Sequence, residues 1–545
     1  MCFVLQNALG KGDAALSRCI PSGSCEIALE VILLRDSSRQ CIIFLVAIAR
    51  KKGWDRVMVY AFCASMLLYL AYVAYKLRYR KLPNNISGFF SFDNNVTPQS
   101  LRDAFFVTNA SFATAFVTLF LYVGSQGVLS IVTPVSFFIG SIFFTYYLLP
   151  RSVELMSSGK RYPELLGQLT ESRTVRIISS VYVVISLWLF TYVEIHGFLS
   201  FVREKANSFY SPVWPFIMAI PILVFMGAYT AASGFSGVVS SDRVQRILIS
   251  AGAISFVLIA IISLNALDQQ AITGAGRYFL SFATQSSFPF IMEAFVGFLF
   301  SQILYYDNWQ RISAYALIRR QADVGDEEII KEIKRCYSTG AAWLLVLYMV
   351  PVLMGFAAVS NGMPVSDISS LVGLIQNIWE KGWIEKLLLF VCFLYLSAAL
   401  ISTMEVYSIS IVNNILDDIS GIMHSYNKGS EQDTRLLPIA RYISFFVCLT
   451  FLPFLLINPD FEKMFLFLFY SANGFVGPIV CLLMKRKLKP VGVYFSLAFC
   501  VGWCSLALWF PEKTHNFSYP GFLTVAGSLL LCWCFSDKKR LVENL

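Results

Sequence analysis

The apolar residues of this 545-residue chain gather into runs of about twenty, one after another from residue 57 to residue 535. No other feature restricts the fold as much. An α-helix of about 20 residues crosses a hydrocarbon core about 30 Å thick, and a backbone in lipid must satisfy its own N–H and C=O groups. The runs fall at 57–76, 98–123, 128–149, 174–197, 213–232, 236–265, 287–306, 340–358, 385–414, 436–456, 462–484, 490–510 and 518–535. They predict an all-α, polytopic membrane protein with about thirteen transmembrane helices. Composition agrees, since 57% of residues are hydrophobic and 14% charged, against roughly 25% charged in soluble domains. Too little polar surface remains to cover a ball in water. Thr97 and Pro98 form a helix start signal, a capping residue followed by a proline suited to the first helical position. Residues 366–380 read as a helix too short to span, re-entrant or lying on the surface of an external loop.

Orientation follows from where the basic residues sit. Of the 43 Lys and Arg, 28 fall in alternate loops and the adjoining helix ends, including Lys76, Arg151, Arg319, Lys334, Lys485 and Lys538, and 7 fall on the opposite side. This split predicts an external N-terminus and a cytoplasmic C-terminus, in a plasma membrane or a bacterial inner membrane. The first 56 residues depart from it by carrying the other eight. They read as a tail or as sequence upstream of initiation at Met58, and the second reading is preferred.

Enzyme chemistry has no visible carrier. The chain holds no P-loop, HExxH, GxSxG or GxGxxG pattern. His196, His424 and His515 lie far apart, and the thirteen cysteines show no zinc spacing. The net charge of +9 belongs to loops facing a membrane surface, so no nucleic-acid partner is expected.

Ionisable and hydroxyl residues inside apolar runs mark pathways, because unsatisfied polar groups there cost several kcal/mol. Glu194 and His196, Asp242, Glu293 and Glu405 qualify, as do the stretches VTNASFAT (107–114) and AALISTMEVYS (398–408). In the last, Ala399, Ser402 and Thr403 stand at i, i+3 and i+4 on one helix face. Two readings stay open from spacing: a patch of oxygens for a hard cation, or hydroxyls bonding their own backbone and neighbouring helices. Glu194 and His196 read as headgroup-zone residues; if they faced a cavity, a basic amine or a proton would be handled there. Glu293 lies deeper and has no evident partner.

Several segments taken together resemble the sodium:solute symporter family. YTAASGFSGVVSSDRVQ (229–245) is similar to its tyrosine–glycine stretch ending in Thr-Asp-x-x-Gln, and YYDNWQRISAYA (305–316) to its Gln-Arg-x-x-Ala segment. AALISTMEVYSIS (398–410) resembles its Ala-x-x-Ser-Ser/Thr-x-Asp-Ser signature, FVTNASFAT (106–114) its core helix 1, and RYPELLGQL (161–169) its Leu-Pro-Glu-Tyr-Leu loop. Order and spacing agree from residue 57 to about 485. The resemblance implies a LeuT-like fold of two inverted five-helix repeats, with a leading helix (57–76), core helices 1–5 (98–265), core helices 6–10 (287–484) and two accessory helices (490–535). In such folds the site lies where core helices 1 and 6 break.

What the resemblance implies for function is sodium-coupled symport of a small organic solute. Sodium would be held by backbone carbonyls of Val107, Ala110 and Ala399 and by the hydroxyls of Ser402 and Thr403. Asp242 would stand on the ion's exit route or at a second sodium site, or else be an interfacial carboxylate near Arg243 and Arg246. Asn109, Ser111 and Thr114, with Glu293, are the candidate solute contacts. Pro134 and Phe137, and Tyr305 and Asp307, depart from the polar residues of sugar-carrying members. Glu405 stands where the family has Asp. Asp307, Asn308 and Gln310 read as a cytoplasmic gate or as capping the helix end with Arg311, and the cap is the preferred reading. A proton-coupled carrier on the same fold and a solute sensor are the alternatives.

Overall fold

A computed structural model describes residues 54–78, 82–90, 97–156, 160–206, 214–265, 287–366, 368–379, 382–419, 431–456, 461–510 and 520–540, with short pieces between 267 and 280. Residues 1–53, the bulk of the expected N-terminal extension, lie outside them.

The first half holds α1 (Trp54–Arg78), α2 (Ile86–Phe90), α3 (Pro98–Asn109), α4 (Thr118–Gln126), α5 (Val132–Phe143), α6 (Leu149–Met156), α7 (Tyr162–Leu169), α8 (Arg173–Ala206) and α9 (Trp214–Asn265). The second holds α10 (Ser287–Leu299), α11 (Ser301–Leu304), α12 (Tyr306–Gln321), α13 (Asp326–Ser360), α14 (Ile368–Trp379), α15 (Trp383–Asn414), α16 (Glu431–Leu449), α17 (Phe461–Ser471) and α18 (Val476–Leu483). Then come β1 (Arg486–Leu488), α19 (Pro490–Trp509), α20 (Pro520–Cys534) and β2 (Ser536–Arg540); the two strands pair antiparallel and clip the ends of α19 and α20 together. Among the described residues eight helical segments are long and apolar enough to cross a membrane, and four shorter apolar helices join them. The chain is a multi-pass integral membrane protein.

Local chemistry explains the breaks that matter. Thr97 caps α3, accepting from the Ser100 amide at 3.2 Å while Ser100 bonds back, and Pro98 fills the first position. The helix stops at Asn109, whose side-chain amide turns back to the Phe105 carbonyl at 2.8 Å. Ala110 (φ −84°, ψ 44°) and Ser111 (φ −64°, ψ 152°) leave helical geometry before a wide π turn, Phe112–Val117, leads into α4. A second break separates α11 from α12, where Tyr305 is extended (φ −69°, ψ 110°).

Two sets of closely packed helices meet along α9, which also packs on α3 and α13. α15 packs along α9 and α8, and α16 lies on α9; α13 packs against α3, α4 and α5, and α5 against α10. The contact of α5 with α10 is backbone to backbone at Gly140, where a Cβ would collide with the Phe298 carbonyl oxygen. That approach sets Phe137 and Phe298 edge to face, 6.0 Å between ring centres. α9 is one long run bent at Gly234, whose φ of 59° and ψ of −161° belong to glycine alone. The short α14 buries Leu371, Val372, Leu374, Ile375 and Ile378 against α8, α13 and α15.

Candidate functional site

The break between α3 and α4 frees backbone N–H groups deep in the protein, and a carboxylate from α8 takes them. Glu194 is fully buried; one of its oxygens accepts from the Ala113 amide at 2.8 Å, the other from the Thr114 amide at 2.9 Å and the Thr114 hydroxyl at 2.6 Å. The sequence reading puts Glu194 in the headgroup zone, and the structure corrects this. Its partners lie 80 residues away on a helix interruption that no local pattern in α8 announces. His196, two positions further along α8, packs near Tyr192, 5.9 Å between ring centres.

Beside the break lies a cavity of about 60 Å³. Asn109, Ser111 and Thr114, three of the four expected solute residues, line it together with Thr108, Thr118 and Thr133. Its other walls are largely aromatic: Phe137, Phe190, Phe298, Tyr305, Tyr348 and Tyr407. Sequence reasoning misses most of these rings, although Phe137 and Tyr305 stand out as departures from the sugar carriers. A smaller cavity of about 40 Å³ adjoins it, sharing Phe190, Tyr305 and Tyr407 and reaching Tyr182, Ser186 and Asp307.

Glu293, the fourth expected solute contact, does not reach the cavity. Its carboxylate bonds Tyr470 and the Gly521 amide, and its Cγ lies 3.1 Å from where a Gly521 Cβ would stand. It anchors α20 to α10. Depth in a helix carries no information about which face a residue occupies, which is why the assignment fails.

The expected sodium ligands come together in large part. The Ser402 hydroxyl lies 3.4 Å from the Val107 carbonyl oxygen and 3.0 Å from that of Ala399, and the Thr403 hydroxyl 3.1 Å from the Ala399 carbonyl oxygen. Ala110 is the residue at which α3 ends. This group is buried and presents uncharged oxygens from two helices, α3 and α15, a donor set that suits a hard monovalent cation. The hydroxyls here donate to carbonyls.

Asp242 lies in the protein interior. It is fully buried, and neither carboxylate oxygen has a hydrogen-bond partner among the described residues. Arg246 pairs with Asp103 at 3.0 Å instead. Glu405 accepts from Ser241 at 3.0 Å and faces Asp242 electrostatically; Gln245 joins it to Tyr69.

At the second break the turn is held by Asn308, whose side-chain amide donates to the Gln302 carbonyl and to its Oε1, both at 2.9 Å; Trp309 donates to the Ile303 carbonyl at 2.7 Å. Asp307 opens α12 and faces Arg311 at 3.5 Å, in line with the capping reading. Arg311 also bonds the Ala104 carbonyl at 2.8 Å and the Thr108 hydroxyl, tying α12 to α3. Toward the same end, Arg161 pairs with Asp417, and Arg176 with Asp418 at 2.9 Å. Glu164 completes that acidic group. Two arginines hold it, so it is an ion-pair cluster joining α7 and α8 to the end of α15.

Two interrupted helices flanking a buried cavity define a LeuT-like fold. No family model and no curated protein matches the sequence. Among solved structures, the chain is similar to a sodium-coupled sialic acid symporter in a substrate-bound, outward-open state: TM-score 0.66, 14% identity, covering 89% of this chain and 100% of that one. Mhp1, a nucleobase-cation-symport-1 family transporter with bromovinylhydantoin bound, matches at TM-score 0.42 and 13% identity over 83% of this chain and 94% of its own. MhsT in complex with L-phenylalanine matches at TM-score 0.41 and 14% identity over 81% and 98%.

Proposed function

We propose that this protein is a secondary active transporter that couples inward sodium movement to symport of a small organic solute by alternating access. The observation that carries the reading is the buried set of uncharged oxygens divided between α3 (Val107) and α15 (Ala399, Ser402, Thr403), on the same turn of α3 whose Thr108 and Asn109 line the cavity. A cation bound there links α3 to α15, so its arrival favours the arrangement that brings these two helices together. The solute occupies the cavity lined by Asn109, Ser111 and Thr114. Core repeats at 98–265 and 287–484, about thirteen membrane crossings, an external N-terminus and a plasma or bacterial inner membrane complete the proposal.

The experiment is thermal unfolding of the purified full-length protein in detergent. Sodium should raise the melting temperature while potassium at the same ionic strength does not, and a solute from a broad panel should add its own stabilisation only with sodium present. Equal melting curves in sodium and potassium would remove sodium as the coupling ion. One observation favours proton coupling on the same fold, the buried carboxylate of Asp242, which has no hydrogen-bond partner among the described residues. Uptake that persists without sodium and follows an imposed pH gradient would establish that reading instead.

A further inference from the structure

We propose that the cavity selects a small primary ammonium ion and rejects carboxylates. The inference rests on the reading of that cavity as the solute site and names the chemical class it takes.

A helix interruption in a transporter leaves N–H groups and the positive end of a half-helix facing the site, an arrangement that attracts an anionic solute group. In this chain those groups are already occupied. Glu194 accepts from the Ala113 and Thr114 amides and from the Thr114 hydroxyl. Both its oxygens act as acceptors toward these donors, and accepted hydrogen bonds favour the ionised form. Among the described residues no Lys, Arg or His pairs with it, and no charged side chain lines the cavity. A carboxylate entering would meet a negative charge where it needs donors.

The hydroxyl protons follow the same sense. Thr114 gives its proton to Glu194, so in its contact with Ser111 it is the acceptor, and Ser111 is left with lone pairs. The Thr118 proton goes to the Ala113 carbonyl and the Tyr348 proton to the Asn109 carbonyl. The Thr108 hydroxyl accepts from Arg311, and one Asn109 amide proton goes to the Phe105 carbonyl. The hydroxyls of Ser111, Thr114, Thr118 and Tyr348 thus point their protons into the walls and their lone pairs inward. A ligand rich in donors satisfies them; a ligand of acceptors does not. Thr133 adds a buried hydroxyl with no partner among the described residues. The aromatic walls offer ring faces that attract a cation. Glu194 acts through Thr114 and Ser111, as a positioning residue that also sets the sign of the local field.

The test uses two matched trios on the sodium-loaded, full-length protein: ethanolamine, ethylene glycol and glycolate; then 4-aminobutan-1-ol, butane-1,4-diol and 4-hydroxybutanoate. The ammonium member should stabilise at concentrations about tenfold or more below its alcohol partner, the low end of what a desolvated charge pair contributes, and the carboxylates should not stabilise. In Glu194→Gln the ammonium and alcohol members should become equivalent while sodium still stabilises the variant. Loss of a merely structural contact would weaken both members alike. The proposal is overturned if a carboxylate matches its ammonium partner, if no member of either trio binds the sodium-loaded protein, or if the glutamine variant keeps the ammonium preference. A preference for ammonium without any sodium effect would sink the coupling ion and leave the solute class standing.

Discussion

In the proposed mechanism, ion coupling rests on Ser402 and Thr403. Ser402→Ala removes one of the oxygens shared between α3 and α15, in a place too buried for bulk water to replace it. Half-maximal sodium should rise about tenfold, since a bond to a charged group is worth roughly 1.5–3 kcal/mol. Thr403→Ala should act alike and Thr403→Ser should be nearly silent, while solute affinity at saturating sodium changes little. Sodium titrations of uptake in proteoliposomes check this; wild-type dependence in both alanine variants would make the hydroxyls helix glue. These two residues are legible in the sequence because i, i+3 and i+4 spacing fixes a shared face whatever surrounds it. Asn109, Ser111 and Thr114 are legible through a polar run that no transmembrane helix keeps without reason. Glu194 is not, because its role is defined by N–H groups on another helix, and Glu293 misleads because burial in α10 passes for access to the cavity.

At the scale of elements, the interruptions do most of the positioning, and each rests on a few residues. The bend of α9 at Gly234 lets the helix pass Phe89 of α2 with no side chain between them; a Cβ there would stand 2.5 Å from the Phe89 carbonyl oxygen. Gly234→Ala adds that clash to about 1–3 kcal/mol of backbone strain. Its melting temperature in detergent should fall by several degrees, with sodium still stabilising what folds. An unchanged melting temperature would mean that α2 moves aside at little cost. The sequence shows apolar runs at 213–232 and 236–265 separated by a gap, and the structure joins them through this bend. Hydropathy registers the weaker apolar character around Gly234 but cannot tell a loop from a single glycine hinge. The gap after α3 is legible as an oddity of composition, whereas the one at Tyr305 lies inside a segment whose residues all tolerate helix.

At the scale of the molecule, sidedness is the first thing to measure. Ser366 precedes α14 and is exposed, as is Glu328 near the start of α13. A membrane-impermeant maleimide should label Ser366→Cys in intact cells above the wild-type background, and Glu328→Cys only after lysis. The reverse pattern would invert the orientation, and labelling of both from outside would break the alternation of helices. The two chambers have a bearing on energy conservation. Phe190, Tyr305 and Tyr407 belong to the walls of both the 60 Å³ and the 40 Å³ space, so the rings form a partition between them. For the proposed carrier, such a partition would interrupt a file of water molecules and leave protons no wire to hop along. Such a molecule would be an insulator. A cell could then keep many copies of such a carrier in its membrane without short-circuiting the voltage, with current flowing only as solute is carried.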